Sequence, residues 1–243
     1  IQIADFDRTA EFNEGLIVGR VQTAQNAGTI VSITAANDLR LTASSNVRGD
    51  TIRLTSEGGN LEVVAPSQGD VLEYTRGIAF AAAETVSLYR FFAAPELIEY
   101  RAGVAMQFGT TGNRSSQIPG NLSAASIILE TGATLSIDGT LTATERLVLI
   151  SDKSVFITGD IVAGDGDIDE LHITARGGTV NIRTGGLDSV NFEIRAANDV
   201  SISLTEDFAL SGFVGGLNAF DPARNISLTT TGTLVVSGGI IAA

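Results

Sequence analysis

The stretch 147-LVLISDKSVFITGDIVAG-164 places its apolar residues at fixed intervals. With Leu147 as step 0, they fall at steps 0, 2, 8, 10 and 14: Leu147, Leu149, Val155, Ile157 and Ile161. A two-residue step puts both apolar side chains of a short strand on one face. The gap between steps 2 and 8 is a turn, and step 12, Gly159, is a bend into a third, shorter strand. One such coil cannot bury its inward residues alone. Stacked coils, hydrogen-bonded about 4.8 Å apart, bury them as one continuous column.

The same steps recur along the chain. Anchors at Val31, Ile52, Ile78, Ile98, Ile127, Leu147, Leu171, Phe192 and Ile226 each start a copy, with one extra turn residue in the Ile52 and Leu171 copies. Gly139, Gly159 and Gly238 all stand at step 12. A period near 20 residues marks a stacked repeat. The spacing therefore predicts an all-β fold, a single-stranded parallel β-helix (β-solenoid) of about nine coils of roughly 20 residues, and the rarity of left-handed crossovers makes it right-handed. Such a stack is roughly 40 Å long. It forms one β-solenoid domain over 1–243, with a partial coil from "IQIADF" and "GLIVG" at the start. The Ala-rich piece "IAFAAAETVSLYRFF" lacks a helix cap and obeys the coil steps, so it is read as coil. Surplus residues between anchors predict loop excursions near 65–77, 109–124, 162–170 and 204–224.

The alternation and turns of "FEIRAANDVSISL", "NISLTTTGTLVVSGGI" and "VSITAANDLRLTAS" resemble the repeats of filamentous haemagglutinin-like exoproteins. The resemblance covers most of the chain. It implies a right-handed β-helical shaft segment of a large secreted or cell-surface bacterial protein, adhesin-like and without enzyme activity. The Asn-Pro-Asn-Gly type turn of that family's secretion domain is absent. Partners expected on this reading are neighbouring coils of the same chain, end-to-end or lateral copies, and a host or surface glycan or protein.

Composition supports a β-rich chain and narrows the chemistry. Of 243 residues, 27 are Gly, 6% are aromatic and none is Trp. With no Cys, disulfides, thiolate catalysis and zinc-thiolate sites are excluded. A net charge of −13 argues against nucleic acid and anionic membrane surfaces. No apolar run approaches the length that spans a bilayer, so no membrane insertion is expected.

The acidic segment "GDIVAGDGDIDE" alternates Asp165, Asp167 and Asp169, followed by Glu170. These four are the candidate metal ligands, for calcium, because hard cations need several oxygens from one short loop. The spacing matches neither the EF-hand nor the glycine-rich calcium nonapeptide. The plain alternative is a solvated acidic loop. No other cofactor is expected.

His172, the sole histidine, lies at step 1 and is expected to face outward. With no partner base except His172, the serines do not suggest a hydrolase triad. The acceptor patterns at Asn113, Asn121 and Asn225 read as loop and turn chemistry. The functional alternative is a carbohydrate-active enzyme, a polysaccharide lyase or glycosidase of the pectinase-like β-helix type. It would pair Asp160 with Asp165 or Asp167 as two carboxylates a water's width apart. Against it, the three Tyr (Tyr74, Tyr89, Tyr100) lie far from the acidic loop in sequence.

The segment Glu206–Arg224 carries Phe208, Phe213, Leu217 and Phe220 and is expected to be a flap or a contact patch. Apolar alternation persists at Ile1 and Ile3 and from Ile226 to Ile240. Both ends are therefore expected to be open, with coils continuing in a longer chain or in a stacked subunit.

Overall fold

A computed structural model describes residues 2–5, 16–22, 29–66, 70–90, 92, 94–108, 116–118, 120–163, 168–187, 189–206, 208–210, 213–217, 225–236 and 239–240. The chain is an all-β parallel β-solenoid of about seven regular turns of about 21 residues, with three parallel sheets, and none of the described residues is helical. That is fewer than the nine copies counted in the sequence, and the copy anchored on Ile226 is one that does not stand. The fold divides into two compact units, 1–114 and 115–243.

In the first unit, Gln2–Asp5, Ile30–Ala35, Thr51–Ser56, Gly77–Ala82 and Leu97–Ala102 pair in parallel. The register puts Val31, Ile52, Ile78 and Ile98 in one column, and Ile33, Leu54, Phe80 and Tyr100 in the next. All eight are fully buried. The second sheet stacks Leu39, Leu61, Val86 and Met106, which are also fully buried. The Ala-rich piece forms the strands Gly77–Ala82 and Thr85–Leu88, as the steps require.

The turns are themselves laddered. Asp38 Oδ1 accepts from the Asn60 backbone N–H at 2.6 Å, and Asn60 Nδ2 donates to Glu84 Oε2 at 3.0 Å. Buried Asp50 is held similarly. Its carboxylate accepts from Thr29 N–H at 3.3 Å and from the Thr75 hydroxyl at 3.0 Å, fastening three coils. A buried carboxylate needs such donors.

In the second unit the first sheet runs through Leu122–Thr131, Leu141–Ser151, Ile168–Ala175, Ser189–Ala196, Phe213–Gly215 and Gly239–Ile240. Ile127, Leu147, Leu171 and Phe192 align, as their common step demands. The second sheet runs through Ser116–Ile118, Leu135–Ile137, Val155–Ile157, Val180–Thr184, Val200–Leu204 and Ile226–Thr230. The third side pairs Leu122–Ala124, Leu141–Ala143 and Ile161–Ala163, then Phe208–Leu210 with Leu234–Val236. A one-residue register shift after Ala124 turns the corner between third side and first sheet.

Two expectations are corrected here. Ile226 is not a step-0 residue. It pairs with Val200, so it occupies step 8 of its coil. The step-2 position opposite Ile194 belongs to Val214, which is fully buried inside the expected 204–224 excursion. The cause is degenerate patterning. Apolar–polar–apolar followed by a turn describes either sheet equally well, and "FVGG" is too short and glycine-rich to announce a strand. The coil thus takes in Phe208–Leu210 and Phe213–Gly215. Parts of two other excursions also rejoin the scaffold: Leu72–Glu73 pairs with Val47–Arg48, and Ser116–Ile118 pairs with Leu135–Ile137.

A column the spacing did not mark stands at step 4. Ala35, Ser56, Ala82 and Ala102 in one unit, and Thr131, Ser151, Ala175 and Ala196 in the other, align and are buried. They are small because they line the inside of a tight corner. Their hydroxyls answer turn carbonyls, as in Ser151 Oγ to Ala133 O at 2.7 Å and Ser56 Oγ to Asn37 O at 2.5 Å.

Candidate functional site

Function on a solenoid sits on outward positions and loops, because the inward columns are committed to packing. Of the candidate calcium ligands, Asp165 and Asp167 lie outside the described residues. Asp169 is exposed, and Glu170 is already engaged: its carboxylate meets Arg146 Nε at 2.7 Å and His172 Nε2 at 3.3 Å. Among the described residues no group of three or more His, Asp or Glu side chains converges as a cation site.

His172 is outward, its side chain 35% exposed, and it bridges adjacent coils. Its Nδ1 lies 3.2 Å from Glu193. Glu193 in turn meets Arg195, whose guanidinium lies 4.4 Å over the Phe213 ring and donates to Gly216 O at 3.2 Å. Arg146, Glu170, His172, Glu193 and Arg195 thus form one outward chain of polar contacts across successive strands of the first sheet. Phe213, expected in a flap, is a half-buried strand residue closing that chain.

Asp160 is exposed. A Cβ built at Gly185 would lie 3.9 Å from Asp160 Oδ1 and 3.5 Å from Glu206 Oε1, so two carboxylates from different coils face one glycine. Their separation in sequence hides that Asp160 and Glu206 both lie near Gly185.

In the first unit the three tyrosines gather around Phe92. Ring centroids lie 6.4 Å (Tyr74) and 5.4 Å (Tyr89) from Phe92, and Tyr100 donates its hydroxyl to Phe92 O at 2.7 Å. Burial pushes the Tyr74 phenol up to about 12, and drives Tyr100 and Tyr89 upward too. Arg90 lies 5.4 Å over Tyr89 and 5.2 Å over Phe92 while pairing with Asp70 at 2.7 Å. The ring faces it covers are packing surfaces, not an open platform.

The second sheet of the second unit alternates inward and outward residues along each strand. Val155, Ile157, Val180, Ile182, Val200 and Ile202 point inward and are buried. The alternate residues form an outward grid: Phe156, Asn181 and Ser201 in one column, Arg183 and Ser203 beside it, with Thr158 just past the end of Val155–Ile157. Rows are about 4.8 Å apart and columns about 6.6 Å apart. Phe156 is 39% exposed. Period-2 alternation marks position 156 as outward, but a single Phe among Ser and Thr draws no attention in the sequence.

No protein-family model matches this chain, and no curated protein or solved structure matches it either.

Proposed function

We propose that this chain is a structural shaft segment of a large secreted or cell-surface bacterial protein, adhesin-like, in which the coils serve as a stiff spacer. The supporting observation is the unbroken register of buried columns within each unit, such as Leu129, Leu149, Ile173, Ile194 and Val214. In such a stack the ladder hydrogen bonds run along the axis, so an axial pull is shared by all the bonds of one coil-to-coil interface. The outward ion pairs, Arg176 to Asp152 at 2.8 Å and to Glu130 at 2.9 Å among them, tie coil to coil. Self-association belongs to the same proposal. Ile226 and Leu228, next to buried Val200 and Ile202, are only half-buried, and Ile226–Thr230 has one paired edge among the described residues. A further coil would cover them.

A carbohydrate-active enzyme is the competing reading, and the facing of Asp160 and Glu206 across Gly185 is the observation in its favour. The two readings separate by turnover. The chain is incubated with neutral and acidic polysaccharides and new reducing ends and unsaturated products are measured. The shaft reading expects none. Turnover that disappears in Asp160→Asn, Glu206→Gln, Asp165→Ala or Asp167→Ala would replace it.

A further inference from the structure

We draw no further inference here: the strongest candidate, the outward apolar patch of Ile128, Val148 and Ile150 on the first sheet of the second unit, carries nothing because no described residue shows what covers it.

Discussion

Val214 is the residue on which the phase of the last coils turns. If residues 204–224 were a loop leaving the scaffold, truncating Val214 would cost little. In the structure its side chain is fully buried opposite Ile194, with Ile240 on the other side. Val214→Ala removes two methyl equivalents, about 1.6 kcal/mol of transfer free energy at about 0.8 each. The void left behind raises this to about 2–3 kcal/mol. Leu217, 37% exposed and three residues on, is the matched control, and its truncation should stay within about 0.5 kcal/mol. With a urea slope of about 2 kcal/mol/M, Val214→Ala should lower the midpoint by about 1 M and Leu217→Ala by no more than about 0.25 M. Circular dichroism near the β minimum follows the transition. Equal midpoints for the two variants would refute the register that places Val214 in the first sheet.

Other outcomes follow from the packing and the titrating groups. A Cβ at Gly159 would fall on the carbonyl oxygen of Gly139, so Gly159→Ala must push two coils apart and should cost at least about 1–3 kcal/mol in the same assay. Ala175→Leu, at the inside corner between Ser151 and Ala196, should cost a similar about 1–3 kcal/mol by overpacking, whereas outward Thr174→Leu should be nearly neutral. Tyr74 keeps its proton more tightly when folded, about 12 against 10.0, so its contribution is intact below pH 10 and is lost as pH rises through about 12. Tyrosinate absorbance should therefore lag behind free tyrosine, and Tyr74→Phe should lessen the loss of stability over that window. Coincident titration with free tyrosine would contradict the aromatic packing around Phe92.

The fold was legible because inward columns are written in Val, Ile and Leu at a period that no solvent-exposed segment needs to keep. Eight anchors, Val31 through Phe192, align in their units as the steps demand. Phase was less legible. The strand Phe213–Gly215 has one inward side chain, and a single valine carries no period. The step-4 corner was overlooked because Ala, Ser and Thr look neutral in a hydropathy pattern, although their recurrence four residues after each anchor was there to be counted. Loop boundaries were overestimated because strands of two or three residues, such as Leu72–Glu73, hold their place by backbone hydrogen bonds rather than by side-chain pattern. Side-chain approaches between coils, such as Asp160 and Glu206 both coming near Gly185, depend on the lengths of the intervening turns and emerge only once the register is known.

The corner between third side and first sheet has a practical consequence. Leu141–Ala143 pairs with Ile161–Ala163, and Arg146–Ser151 pairs with Glu170–Ala175, on the two sides of that corner. Two residues separate Ala143 from Arg146, whereas six separate Ala163 from Glu170, yet both ladders keep their register. Closing a longer loop costs little, since each doubling of length adds only about 0.6 kcal/mol. The corner is therefore a natural graft point. Foreign peptides spliced between residues 163 and 168 would be displayed at a fixed spot on a rigid support, and coils carrying different inserts could present them at intervals set by the strand spacing, like type on a ruled line.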